Sequence, residues 1–355
     1  MANREQRQVR LLLLHAGRRA GRDQIANARP ESPGSAIYHA SEIKPMTTTT
    51  VSMDSALQSV RDIFFFGAGA SHGSADCIPA LPPLGTQVFK ALRDKRGIAA
   101  TVTGHLKALF EDCFEAGMAE FAATRETDVV EFLRDMAAFF AEYEPGSKNE
   151  YFKLVRQIQR KEISPTFVTL NYELLLEYAI QRSGIGVQYG GAPSRPNCWP
   201  VLKIHGSCNF LPDTSESLLR DIRLTGFPNE MFHFPAKIAG SKAEILEFCR
   251  REDSLAPSIA IYAPGKRVLV NEYVIQHDRQ VWKQLAGAAR RIFVIGVSVN
   301  PADEHIWNTF ASCRQADLFY VGHEPEVFLR WAADNQRRCA YVLATDFSEA
   351  IPLIQ

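Results

Sequence analysis

The sequence of 355 residues carries no surplus of charge of either sign: 40 Lys and Arg stand against 40 Asp and Glu. That balance removes the electrostatic footprint of a dedicated nucleic-acid binder, although a local basic patch is compatible with it. Long hydrophobic runs are missing too. The strongest apolar stretches, residues 11–14 and 63–70, fall well short of the roughly 18 apolar residues of a membrane span, so no membrane anchor is expected. Nor is there a CxxC pair among the seven cysteines, at 77, 113, 198, 208, 249, 313 and 339. An odd number at wide, irregular spacing gives neither a disulfide framework nor a four-cysteine zinc ribbon. It points to buried thiols in a reducing, cytoplasmic compartment and to no bound metal.

What is present is ordinary for a globular chain, with 46% hydrophobic and 10% aromatic residues, enough for one large core. Residues 1 to about 55 differ from the rest. The first 50 hold eight Lys and Arg (4, 7, 10, 18, 19, 22, 29 and 44) against four acids, then Pro30, Pro33, Gly34 and threonines at 47–50. This composition reads as a basic, disordered tail, an oligomer arm, or an over-extended start with Met46 or Met53 as initiator. It is not a signal peptide, because Arg18 and Arg19 stand where a small-residue cleavage site is needed.

From residue 56 to the end, short apolar runs alternate with amphipathic segments of helix length. Strands are expected at 62–66, 166–170, 201–204, 258–263, 291–297, 317–321 and 341–344, with helices at 172–182, 271–289, 302–314 and 325–337. Near-continuous apolar strands separated by helices predict an α/β fold, a doubly wound, Rossmann-like parallel sheet covered on both faces. Between about 86 and 161 only helical periodicity occurs, so a helical insertion is expected there. A second, irregular insertion is expected at about 209–257, which contains Pro212, Gly226, Pro228 and Pro235.

Four strand ends carry chemistry. The first strand runs into Gly67-Ala68-Gly69-Ala70-Ser71, where glycines permit a tight turn and a phosphate can approach backbone amides at a helix start. A purely structural turn is the open alternative, since His72 occupies the place of the usual third glycine. The second strand ends in Thr169-Leu170-Asn171-Tyr172-Glu173. Asn171 either directs its amide toward a ligand at the carboxyl edge or caps the next helix. The third delivers His205 and Gly206, a general base near neutral pH or a satisfied core histidine. The fourth ends in Gly296-Val297-Ser298, followed by Asp303. Gly296 allows close approach, Ser298 offers a hydroxyl, and Asp303 suits the first turn of a helix.

These motifs, in this order, resemble the sirtuin-like (silent information regulator) superfamily, with its GAGxS loop, T-x-N-x-D/E strand end, HG motif and late GxS. The resemblance spans roughly residues 60–350. Deacylating sirtuins are similar at Ile78 and Pro79, but Ala80-Leu81-Pro82 replaces their Asp-Phe-Arg, and their four-cysteine zinc module is missing. Where they carry an Asn before Glu-Pro, this chain reads Val321-Gly322-His323-Glu324-Pro325. The helical insertion and residues 296–303 look instead like the bacterial branch that hydrolyses NAD in antiphage defence.

That resemblance implies NAD as substrate, with nicotinamide and ADP-ribose as products. Asn171 and His205 are then the catalytic pair, and Gly67, Ala68, Gly69, Ser71, Thr169, Gly296, Ser298 and Gly322 contact the dinucleotide. Asp128 and Glu131 either face the same cleft or form a solvated helix face. An NAD-dependent deacylase and an NAD-binding scaffold of a larger complex are the alternatives. The sheet pattern reaches Ala344 and the sequence ends at Gln355, so regulation is expected from the tail, from homo-oligomerisation or from a separate polypeptide, such as an ATPase of the HerA type.

Overall fold

The computed structural model describes residues 37–38, 62–190, 195–214, 235–260, 272–300 and 303–355. Asp62–Phe66 (β1), Pro165–Thr169 (β2), Gly186–Tyr189 (β3), Cys198–Lys203 (β4), Arg291–Ile295 (β5), Asp317–Val321 (β6) and Ala340–Ala344 (β7) form one sheet. Their order is β7-β6-β5-β1-β2-β4-β3, and every neighbouring pair is parallel. The doubly wound α/β expectation holds. From β1 the chain moves one way to β2, and it later returns to build β5 on the other flank. The order therefore reverses between β1 and β5, the place where open α/β sheets bind ligands at their carboxyl ends.

The first strand shows why the sheet is buried on both sides. Successive side chains of a strand point to opposite faces, and Ile63, Phe64, Phe65 and Phe66 are all fully buried. Phe64 and Phe66 enter one core with Phe167 and Phe293, and Phe64 stacks on Phe293 at 4.9 Å. Ile63 and Phe65 enter the other, where Phe65 lies 4.9 Å from Trp282 and 5.1 Å from Phe310. Helices Glu272–Ala288, Glu304–Ser312 and Pro325–Asp334 contribute to the second core. Helices Glu150–Arg160 and Leu175–Arg182 and the helical insertion contribute to the first. At the amino ends of β1 and β5, Arg291 holds Asp62 through two bonds of 2.6 and 2.7 Å.

Between β1 and Glu150–Arg160 lie helices Gly85–Asp94, Ile98–Thr101, Gly104–Asp112, Phe114–Thr124 and Val129–Phe140. Their shared centre is aromatic: Phe110 stacks on Phe89 at 4.3 Å and on Phe132 at 5.7 Å. Arg134, on the last of these helices, is buried against Asp253 and donates to the carbonyl of Leu255. It thereby ties the helical insertion to the second one. That second segment contributes a pair of antiparallel strands, Phe210–Pro212 and Ala236–Ile238, with Ile37–Tyr38 added alongside.

One strand expectation needs correction. Of the strand expected at 258–263, residues 258–260 add nothing to the sheet, Ile259 instead forming an isolated bridge antiparallel to Gly206; residues 261–263 lie outside the described residues. The burial of Ile259 comes from lying along the turn after β4. The seventh place belongs to β3, Gly-Val-Gln-Tyr, a half-buried edge strand without an apolar run. Among the described residues, no helix is long and apolar enough to cross a membrane.

Candidate active site

At the reversal point, the turns after β1 and β5 pack backbone on backbone. The N–H of Gly67 donates to the carbonyl of Ile295 at 3.0 Å, and that of Gly69 to Gly296 at 2.9 Å. A Cβ on Gly67 would sit 2.6 Å from the Gly296 carbonyl; one on Gly296, whose φ is +65°, would sit 1.9 Å from the Ala70 nitrogen. Glycine is thus required here first by loop-to-loop contact. Three of the loop's amide hydrogens, those of Gly67, Gly69 and Ala70, are committed to protein carbonyls, and Ala68 is the exposed member. Beside it, Gly296 donates to Val321, Gly322 donates to Ala344 at 3.3 Å, and exposed Ser298 donates to Glu324 at 2.6 Å. These three residues cluster at the carboxyl ends of β5, β6 and β7.

On the other flank of β1, Asn171 does not cap the following helix. Its amide donates to the Gly67 carbonyl at 3.0 Å and to Ser71 Oγ at 2.8 Å, while its backbone N–H bonds Thr169 Oγ1 at 3.0 Å. Glu173 takes the capping role, since its carboxylate accepts the Leu175 N–H at 2.6 Å. This is why the helix starts at Leu175 and leaves 171–174 as a turn. Ser71, 1% exposed, also donates to Glu173 at 2.5 Å and lies 2.9 Å from the Tyr151 hydroxyl. A hydroxyl has one hydrogen and two lone pairs; with Asn171 and Tyr151 donating to it, Ser71 is saturated. Both Asn171 amide hydrogens are also committed, which leaves its Oδ1 to meet a ligand.

Against this cluster lies a cavity of about 100 Å³. Pro82, Val88, Phe114, Met136 and Phe140 give apolar walls, and Ser71, Asn171 and Glu173 line its polar side. The size is of the order of the ~150 Å³ space that admits a benzene ring. Asp128 and Glu131 are not among its walls, and Asp128 pairs with Arg125 at 2.7 Å.

The turn after β4 is stitched to the Asn171 turn, because the Cys208 N–H donates to the Tyr172 carbonyl at 3.0 Å. Gly206 has φ +83°, and a Cβ there would lie 2.0 Å from the Ser258 carbonyl, so the residue after His205 has to be glycine. His205 is 2% exposed, and its Nε2 lies 3.0 Å from Nε2 of His305. Below it, fully buried Lys203 donates to the Glu173 carbonyl at 2.7 Å and pairs with Glu177 at 3.0 Å. Burial pushes Glu173 above the usual carboxylate range against the opposing pull of Lys203. Burial also raises Asp278, which accepts the Lys203 N–H, to about 7.

Solved Sir2 enzymes are similar in structure. One, from work on the mechanism and regulation of Sir2 enzymes, has 18% identity and a TM-score of 0.43 over 86% of this chain and 96% of that one. Sir2Tm bound to a propionylated peptide has 14% identity and a TM-score of 0.44 over 88% and 97% of the two chains. A Sir2 homolog–NAD complex has 15% identity and a TM-score of 0.44 over 86% and 91%. No family model matches the chain, and no curated protein does. At this level of likeness the activity has to be argued from the chain's own residues.

Two contributors escape the motif reading. Tyr151 comes from the helix before β2, 80 residues from Ser71, and nothing in its local sequence marks it. His305 follows Asp303 by two residues, and one ligand atom from each of His205, Asp303 and His305 lies within 4.8 Å of the others. The Asp-x-His spacing directly after a Gly-x-Ser strand end was the available signal.

Proposed function

We propose that the protein hydrolyses NAD at the nicotinamide–ribose bond, giving nicotinamide and ADP-ribose. The observation that carries this reading is the placement of an apolar-walled cavity, with Asn171 on its polar side, next to the glycine turns at the sheet's reversal point and one strand away from His205. A flat, uncharged ring bearing an amide suits such a cavity, and its departure from a cationic pyridinium makes it a good leaving group. In this reading the pyrophosphate crosses the turn at Gly67, Ala68, Gly69 and Ser71, and the adenosine side lies toward Gly296, Ser298 and Gly322. Thr169 acts indirectly, by fixing the backbone of Asn171.

The C–N bond breaks with its electron pair going to nicotinamide, which leaves neutral. Water then forms the new C–O bond at the ribose carbon, and its proton passes to the histidine side of the site. Asn171 Oδ1 orients that water or a ribose hydroxyl. Positioning and charge complementarity are what an oxocarbenium-like transition state requires.

We further propose that residues 56–355 form one catalytic unit, and that it serves as an NAD-depleting effector in bacterial antiphage defence. It acts as a homo-oligomer or together with a separately encoded ATPase of the HerA type. Purified wild type, Asn171→Ala and His205→Ala incubated with NAD, with nicotinamide quantified by chromatography, test the residue roles. Turnover lost in both variants is the expected result; turnover unchanged in both rejects the assignment.

A further inference from the structure

The helix Glu150–Arg160 has two working faces. Its buried face sends Tyr151 to Ser71; its exposed face, together with residues 348–352, lines a groove of about 380 Å³. That volume falls within the roughly 300–1,000 Å³ of small-molecule sites. Lys153, Arg156 and Arg160 line it at i, i+3 and i+7, a spacing that sets them along one side of the helix. Glu150 is the one acid among the lining residues, so three cations against one carboxylate leave two positive charges in excess.

The excess lies at one end. Lys153 answers Glu150 at 2.7 Å, whereas Arg156 has neither an ion pair nor a hydrogen bond among the described residues. Arg160 donates to Gln157 Oε1, which steadies its guanidinium and leaves further N–H groups of the fork to bind. Gln157 Nε2 in turn donates to the Ile354 carbonyl at 2.8 Å and ties the two walls together. The acids beside Ser348 in sequence turn elsewhere: Asp346 faces His323 at 3.1 Å, and Glu349 accepts from Thr345 at 3.3 Å. At the other end Glu150, 4% exposed, holds Lys153 on Oε1 while its Oε2 is buried without a hydrogen bond. A buried acceptor without a donor is costly. Between the two ends, Ile351 and Pro352 give an apolar wall. The groove therefore suits a molecule that carries an anion, a hydroxyl donor and a flat apolar part.

We propose that this groove binds a nucleoside diphosphate, at a site separate from the strand ends. The guanidiniums of Arg156 and Arg160, neighbours one helical turn apart, grip the two phosphoryl groups, for which the planar fork is well matched. A ribose hydroxyl donates to Glu150 once the carboxylate turns toward the groove, and the base lies against Pro352.

Calorimetric titration of the full chain with ADP, adenosine and inorganic pyrophosphate tests the site. The wild type is expected to bind one more ADP per chain than Arg156→Ala/Arg160→Ala. Arg156→Glu, a single change at an exposed position, is expected to lose the same site. Any ADP held at the strand ends stays in both variants, so the outcome does not depend on NAD cleavage. Pyrophosphate is expected to bind this site about tenfold more weakly than ADP, the worth of one hydrogen bond to a charged group, and adenosine not measurably. No ADP uptake by the wild type, or equal stoichiometry and affinity in the wild type and both variants, overturns the proposal. So does adenosine binding as tightly as ADP, or pyrophosphate matching ADP within about threefold, since ribose and base would then add nothing.

Discussion

The two ends of the site are built on opposite principles. At the cavity, Asn171, Ser71, Tyr151 and Glu173 form a buried set in which each hydrogen has a dedicated acceptor. Such a network has one low-energy arrangement and resists change. Across the strand ends, Nε2 of His205 and Nε2 of His305 face each other at 3.0 Å, and an imidazole is a side chain that gains or loses a proton near neutral pH. The first end is suited to holding a ring in place, the second to moving a proton.

The largest blow to both ends together is Gly296→Ala. It places a Cβ 1.9 Å from the Ala70 nitrogen at φ +65°, forcing apart the turns that support the Asn171 cluster. Left-handed strain plus overpacking gives a loss of about 3–5 kcal/mol, checked by urea denaturation, with NAD turnover falling in parallel.

Asn171→Ala separates the ends. It deprives the Gly67 carbonyl and Ser71 of a donor, for about 1–3 kcal/mol of stability, while the imidazole NMR signals of His205 and His305 should stay where they are in the wild type. Turnover is expected to fall on the order of 10²-fold. If the histidine signal changes as well, the two ends are not independent.

Glu173→Gln probes the cavity end alone. Leu175 N–H and Ser71 O–H both donate to this carboxylate, and an amide can accept properly from only one of them. A loss of about 1–2 kcal/mol follows, measurable as a lower denaturation midpoint.

A separate, pH-dependent effect concerns the buried carboxyl beneath both ends, Asp278. The folded-state pKa of Asp278, about 7, lies above its ordinary 3.8, so folding favours the protonated form. That contribution is complete below about pH 4 and is lost as pH rises through 7. Asp278→Asn removes the titrating group, so denaturation curves at about pH 4 and about pH 8 should differ less for the variant than for the wild type.

How far the sequence could be read follows from which interactions are local. The strand Asp62–Phe66 was legible because five successive apolar or sheltered positions end in a glycine turn, and both sheet faces require that pattern. The edge strand Gly186–Tyr189 was not, because half-burial on one rim demands no apolar run. Asn171 and His205 announced themselves by standing at strand ends. The bonds of Ser71 to Glu173 and to the Tyr151 hydroxyl join residues 102 and 80 positions apart, and the approach of His305 to His205 joins residues 100 apart. Only the assembled sheet brings those together.

Cleavage of NAD at this strand edge underlies every role assigned above. Proton NMR of NAD incubated with the folded wild-type protein, alone and with its candidate ATPase partner, tests it most directly. Nicotinamide and ADP-ribose are expected to accumulate in equal amounts; NAD remaining intact under both conditions would contradict NAD cleavage by this site.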